Sequence, residues 1–227
     1  MNWLQVEAYL ASDDRCVVPI GSTEQHGMLS LCVDAILAER VAMEAAEPLG
    51  IPVYPAMPFG CAPYFSAFPG SISLKVETLC AVARDLIASL HGAGFRRVMF
   101  VNGHGGNAVV GNVVLDMMAE YVNLKIKFHP WYAAPKTMRA AKKIRGDPSH
   151  ANWFENFPWT RLSNVAMPQD EKPMVDLAAL KLASPDGARQ LLGDGNFGGP
   201  YQIEDRHMRA LWEVGVSETR ELLEGPW

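Results

Sequence analysis

Twice in this chain a short apolar run ends in a glycine-framed polar turn and gives way to a helical pattern. CVVPI (16–20) runs into GSTEQHG, after which Ile36, Leu37, Val41 and Ala45 fall at helical spacing between Asp34 and about Glu47. RRVMFVN (96–102), the clearest strand pattern present, runs into GHGGN and then a helical stretch over 107–121. Strand, tight turn and helix in repeated succession describe an α/β fold, a parallel sheet with helices on its faces. Such sheets gather their ligands at the carboxyl ends of the strands, where both polar turns sit.

The remaining pattern fits that frame. IPVYPAMPFG (51–60) reads as a further strand whose prolines suit strand ends or an edge. GCAPYFSAFPGSIS (60–73) reads as a loop whose aromatic rings must cover a site or a subunit contact. Residues 76–91 carry one apolar helical stripe, with Gly92 and Gly94 suited to its cap. LKIKFHPWY (124–132) predicts a strand, APKTMRAAKK a short helix, GDGNFGGPYQ (193–202) a loop, and Ile203 to Leu223 a closing helix. No linker or repeat divides residues 1–227, so a single domain is expected.

Composition narrows the function classes. With 49% hydrophobic residues and a net charge of −5, a sizeable core is expected and nucleic acid is not the expected partner. No run approaches the roughly 20 apolar residues of a membrane span, and MNWLQVEAYLASDD has no basic start or apolar core of a secretory signal. Cys16, Cys32, Cys61 and Cys80 are widely spaced, which reads as buried thiols in a reducing compartment, the cytoplasm.

Most of the histidines have plain readings. His91 at a helix end and His207 in a charged helix fit surface or capping roles, and His129 at a strand end fits a structural one. His104, set among glycines directly after an apolar strand, reads as an incidental turn residue, a metal ligand or a catalytic group. Phosphate cradling by GHGGN or GDGNFGG is a competing idea, yet neither a Walker lysine nor an acidic ribose partner accompanies them. Glu24 and His26 can converge only if the chain turns, and a carboxylate with an imidazole suits zinc, manganese or iron. Asp34 alone reads as a helix cap; beside Glu24, His26 and His104 at one sheet edge, it reads better as an acid shared between two cations. His150 and Glu155 in HANWFENF are the remaining candidates, and they reach one site only if the segment bends between them.

GSTEQHG with the following Asp34, NGHGGN and the His-Ala-x-x-x-Glu spacing together resemble the creatininase (creatinine amidohydrolase) family over about residues 15–160. The resemblance implies a three-layer α/β/α sandwich with two divalent ions, Zn2+, Mn2+ or Fe2+, at the carboxyl end of a mostly parallel sheet. It carries over to Glu24, His26, Asp34 and His104 as metal ligands, with Asp34 bridging. A further family ligand, a glutamate two positions after the histidine of NGH, is replaced here by Gly106, which argues against creatinine as substrate. Relatives that share this glycine draw the ligand from a later His-Ala-Gly-x-x-Glu motif, which here implies Glu155, with His150 as the catalytic proton shuttle.

HANWFENF departs from that later motif at Asn152, Asn156 and Phe157. Its aromatic character suggests a wall against a ring, with Asn152, Trp153 and Phe154 as substrate-binding residues. GDGNFGGPYQ faintly resembles a subfamily that opens oxidised inositol rings. The expected activity is hydrolysis by metal-bound water at a carbonyl of a small cyclic amide, lactone or oxidised cyclitol such as a dehydro-inosose, or of a formamide. No nucleic acid or membrane partner is expected. The resemblance also implies a homo-oligomer, since relatives are commonly hexamers. The rival readings are a catalytically silent metal-binding protein of the same fold and a nucleotide-binding α/β protein.

Overall fold

A computed structural model describes residues 1–227. Three parallel strands, β1 (Arg15–Ile20), β2 (Arg97–Asn102) and β3 (Lys125–Pro130), lie in that order in one sheet. The register sets Ile20, Asn102 and Pro130 side by side, so the carboxyl ends of all three strands finish on one level. Alternation along each strand sends side chains to two faces. Val17, Met99 and Val101 pack in one core with α2 (Val33–Ala46) and the last helix, which spans Asp205–Glu224. Cys16, Val18, Ile20, Val98 and Phe100 pack in the other with α3 (Val76–Ala93) and α4 (Val110–Glu120). Helices on both faces of the sheet make the three-layer sandwich, and all four cysteines are free thiols.

The chain opens with α1 (Trp3–Leu10), which strand and turn patterning did not reveal. Its capping box is built from Asn2 and Gln5. Residues 51–60 do not form the expected strand. They run parallel beside β1 through isolated bridges, Val17 to Val53 and Ile20 to Met57. Pro52, Pro55 and Pro58 have no N–H to donate, so the ladder cannot become continuous. At the end of α3, Gly94 alone takes the left-handed conformation, with φ 109°, while Gly92 stays helical.

After β3 come α5 (Pro135–Ile144), α6 (Leu177–Leu182), α7 (Pro185–Leu192) and the closing α8 (Asp205–Glu224). Glu218 of α8 caps α5, accepting from the backbone N–H of Lys136 at 2.8 Å and of Thr137 at 2.7 Å. A carboxylate there satisfies orphan donors and meets the positive end of the helix dipole. His129 is a structural group: its Nε2 lies 3.0 Å from Thr219 Oγ1, and burial lowers its pKa to about 4. No helix is long and apolar enough to cross a membrane.

One close approach positions the site. A Cβ on Gly21 would lie 2.4 Å from the backbone N of Ala35, and one on Gly103 would lie 2.2 Å from the backbone O of Asp34. The absence of side chains at these strand ends lets the first turn of α2 press onto both β1 and β2. Asp34 is thereby delivered between them. It does not cap the helix, whose N-cap Cys32 makes no side-chain cap either.

Candidate metal centre

Glu24 and His26 do converge, their ligand atoms lying within 4.8 Å of each other, and the chain turns at Gly27 (φ 57°) directly after them. The His26 Nδ1–H donates to the backbone oxygen of Glu24 at 3.0 Å. That leaves Nε2 facing Asp34 Oδ1 at 3.1 Å and Glu155 Oε2 at 3.6 Å. His104 is held in the mirrored sense. Its Nε2–H donates to the Cys61 carbonyl at 2.9 Å, and Nδ1 lies 3.2 Å from both Glu24 Oε2 and Asp34 Oδ2. In both rings a backbone carbonyl fixes one proton and leaves the other nitrogen aimed at carboxylates, the second-shell arrangement of metal-ligating histidines.

Beside the group Glu24–His26–His150, two ligand triads result, Glu24–Asp34–His104 and His26–Asp34–Glu155, and in each of the three the ligand atoms lie within 4.8 Å of one another. Asp34 belongs to both triads. Three carboxylates gathered in one buried place need compensating positive charge. Burial would depress the pKa of His26, but Asp34 and Glu155 overcome it and raise it to about 10. His104 is likewise raised well above its ordinary value against burial, chiefly by Glu24 and Asp34. Burial lifts Glu155 to about 7, with the His26 charge opposing it. Even so, Glu24 Oε2 and Asp34 Oδ2 are buried with no partner but His104 Nδ1, 3.2 Å from each. Under-satisfied carboxylate oxygens, imidazole nitrogens aimed between them and a shared acid fit a pair of divalent cations.

Glu155 reaches the cluster from a one-turn 3-10 helix, Trp153–Glu155, and accepts from the Ala151 N–H at 2.5 Å. Ala151 takes φ 57°, so the chain reverses between His150 and Glu155, the bend that their spacing requires. His150 Nδ1 lies 3.9 Å from both Glu24 Oε1 and Glu155 Oε2. Its Nε2 lies 2.9 Å from the Gln25 side-chain amide nitrogen and 3.0 Å from the Gln25 backbone oxygen. The ring accepts from the amide when Nδ1 carries the proton and donates to the carbonyl when Nε2 does. Burial and the neighbouring His26 charge hold its pKa well below the ordinary value. Phe65 stacks on the ring at 4.8 Å and 11°, and Phe197 meets it at 4.8 Å, tilted by 54°.

Of the three expected substrate-binding residues, only Phe154 lines the cavity beside the cluster. Trp153 is fully buried in the core and its Nε1 donates to Asp147 at 2.9 Å. Asn152 spends its side chain inside the turn, accepting from Phe154 N and donating to the carbonyls of Asp147 and Gly198. Phe157 and Trp159 stack on each other in a cluster with Trp212, behind the wall. The aromatic wall comes instead from Tyr64 and Phe65 of the 60–73 loop, Tyr132 after β3, and Phe197 of the glycine-rich loop. Those two loops were marked in the sequence by rings among glycines and prolines; Tyr132 and Gln25 carried no such signal. Tyr132 lies close enough to the cluster that burial, with Asp34, Glu155 and Glu24, raises its pKa to about 12, so it stays a donor.

Gly106 admits no side chain. A Cβ there would lie 1.8 Å from the Cys61 carbonyl oxygen and 2.5 Å from His104 Nε2. The hydrogen bond that orients His104 thus occupies the space a ligand at position 106 would need.

The family model described as creatininase, creatinine amidohydrolase, matches residues 1–223. Creatinine amidohydrolase of Pseudomonas putida is 34% identical over 117 residues, covering 48% of this chain and 45% of the relative. 3-Dehydro-scyllo-inosose hydrolase of Thermotoga maritima is 31% identical over 112 residues, covering 48% of this chain and 36% of the relative. Mycofactocin precursor peptide peptidase of Mycolicibacterium smegmatis is 36% identical over 102 residues, covering 40% and 39%. The chain therefore matches less than half the length of each of these curated relatives. A solved creatininase superimposes with TM-score 0.82 at 20% identity, covering 98% of this chain and 94% of its own. A mutant creatininase described as Zn-Zn type gives TM-score 0.78 at 20% identity, covering 99% and 95%. These likenesses establish the fold.

Proposed function

The chain belongs to the creatininase family, and from that premise we propose that it is a hydrolase dependent on two divalent metal ions. The single observation that carries the reading is the pair of ligand triads joined through Asp34. Glu24 and His104 complete one triad and His26 and Glu155 the other. The ions, Zn2+, Mn2+ or Fe2+, supply positive charge that acidifies water and polarises a carbonyl.

The chain's own residues do the rest. Asp34 fixes the spacing of the two triads, and the Glu24 and Cys61 carbonyls keep His26 and His104 in ligating tautomers. His150, neutral by virtue of its burial, accepts the proton of the attacking water and passes it to the leaving nitrogen of an amide, the oxygen of a lactone or the enolate carbon released from an oxidised cyclitol. Gln25 offers both a donor and an acceptor to its far nitrogen, so neither tautomer loses its partner. Phe65 and Phe197 hold the ring in place, and the Tyr132 hydroxyl is available to the substrate's oxygen.

Substrates of this reading are small cyclic amides, lactones, oxidised cyclitols such as a dehydro-inosose, or formamides. The absence of room at Gly106 separates the ligand set from one with a glutamate there. The protein would act in the cytoplasm as an assembly of copies, which light scattering on the purified protein checks. Metal analysis tests the core of the proposal. His104→Ala is expected to lose metal and turnover together, whereas His150→Ala keeps the metal and loses turnover. Full occupancy in His104→Ala, or an active His150→Ala, would overturn the respective assignment.

A further inference from the structure

The wall of the cavity facing the cluster carries a specificity signal of its own. The cavity holds about 420 Å3, within the range of small-molecule sites, and not one arginine or lysine lines it. This is not for lack of cations nearby. Helix α5 carries Lys136, Arg139, Lys142 and Lys143, yet the residue it presents to the cavity is Met138. Arg145, just beyond α5, is engaged by Asp147 and by Glu171 at 2.6 Å. Lys172 is engaged by Asp194 and the Leu192 carbonyl. What faces the cluster across the cavity is aromatic and thioether surface with hydroxyls at Tyr64, Tyr132 and Ser149.

We infer that the part of the substrate lying beyond the scissile carbonyl is uncharged and ring-like, and that the site rejects substrates bearing a free carboxylate or phosphate there. The inference rests on the metal-hydrolase reading above and specifies its substrate class. Sites that recognise carboxylate or phosphate do so with a guanidinium or ammonium group. An anion against Phe154, Phe197 and Met138 would lose its hydration and gain no counter-charge. It would also meet the negative faces of the rings. A neutral ring instead buries its own apolar surface on theirs, and its carbonyls and hydroxyls find the Tyr and Ser hydroxyls.

Calorimetric binding to the Zn2+-loaded protein tests this without knowledge of the natural substrate. Benzohydroxamate places a metal-binding head at the cluster and a neutral ring in the cavity; 4-carboxybenzohydroxamate adds one carboxylate to that ring. Benzohydroxamate is expected to bind at least about tenfold more tightly than the carboxylated probe. Tyr64→Arg places a cation at the exposed cavity mouth and is expected to narrow that gap several-fold. Equal or tighter binding of the carboxylated probe to the unaltered protein overturns the inference and leaves the hydrolase reading standing. Failure of both probes to bind a metal-loaded protein overturns it as well. A protein that takes up none of Zn2+, Mn2+ and Fe2+ overturns the two-ion reading itself, and this inference with it.

Discussion

Glu24, His26, Asp34 and His104 reach the cluster from the ends of β1 and β2 and the first turn of α2. His150 and Glu155 arrive from a segment whose only regular element is a single 3-10 turn. The first group is fixed by the sheet register and by backbone pressed on backbone at Gly21 and Gly103. The second is held by local hydrogen bonds, a left-handed Ala151 and two aromatic rings. Scaffold rigidity and local over-determination are two ways to pre-organise a ligand set, and the cluster uses one on each side. The shared Asp34 belongs to the rigid side. Glu155, the acid whose pKa burial lifts to about 7, belongs to the other.

The sharpest break in that comparison comes from removing one acid from each side. Asp34→Asn takes a ligand from both triads, and Glu155→Gln from one. Elemental analysis is expected to find Asp34→Asn nearly free of metal and Glu155→Gln with close to half the wild-type content. Turnover should fall by roughly a thousandfold or more in the first variant and by less in the second. Equal metal loss in the two variants would show that Asp34 is not shared.

The steric basis of the rigid side is tested at Gly103. Gly103→Ala sets a methyl 2.2 Å from the Asp34 carbonyl. The first turn of α2 must then move, at a cost of about 3 kcal/mol. Gly105→Ala, two residues on, meets nothing closer than the Tyr132 hydroxyl at 3.7 Å and should stay within about 1 kcal/mol of wild type. Denaturant midpoints of the two variants measure the difference.

His26 is where the two sides meet, since Asp34 and Glu155 both face its Nε2. Against the depressing effect of burial they raise its pKa from 6.5 to about 10. The proton stabilises the folded metal-free protein below pH 6.5, and that contribution is lost as pH rises toward about 10. Glu155, raised by burial from 4.5 to about 7, loses its contribution over that lower interval in the same direction. Asp34 acts oppositely. Its pKa is held below 3.8 against burial by His26 and His104, so its contribution is present above that value and lost in acid. Metal-free protein is therefore expected to lose a few kcal/mol of stability from these groups between weakly acid and alkaline pH. Added Zn2+ replaces the protons as counter-charge, so its stabilising effect should grow over the same window. Melting temperatures with and without chelator across pH check this, and a gap that does not widen with pH would refute it.

The difference between the two sides also decides what could be read from the sequence. GSTEQHG and NGHGGN follow short continuous apolar runs, so their place at one sheet edge follows from patterning, and Asp34, a helix cap when read alone, joins them as a shared acid. His150 and Glu155 lie in a segment with no period, and only the resemblance to a family attached roles to them. Without a period, an aromatic that lines a cavity looks the same as one that fills the core. Trp153 and Asn152 therefore read as wall residues but prove to be packing and turn chemistry. The rings that do line the wall come from three separate stretches, and only the fold brings them together. The prolines of 51–60 pointed to an edge, yet they also removed the donors that would have made it a strand.

The smallest expected effect probes the local side most directly. Ala151 holds φ 57°, a conformation that costs an alanine about 1 kcal/mol relative to glycine. Ala151→Gly would release that strain. It would also remove a buried methyl worth about 0.8 kcal/mol and give the unfolded chain about 0.5 kcal/mol of added freedom. These nearly cancel, so the melting temperature should move by no more than about 2 °C. The same glycine can leave the left-handed region, and the Ala151 N–H then no longer holds Glu155 toward His26. Titration of the metal-free variant should show one ion bound several-fold more weakly and the other unchanged. If both ions bind as in the wild type, the strained turn does not position Glu155. The comparison then rests on the aromatic clamp around His150 alone.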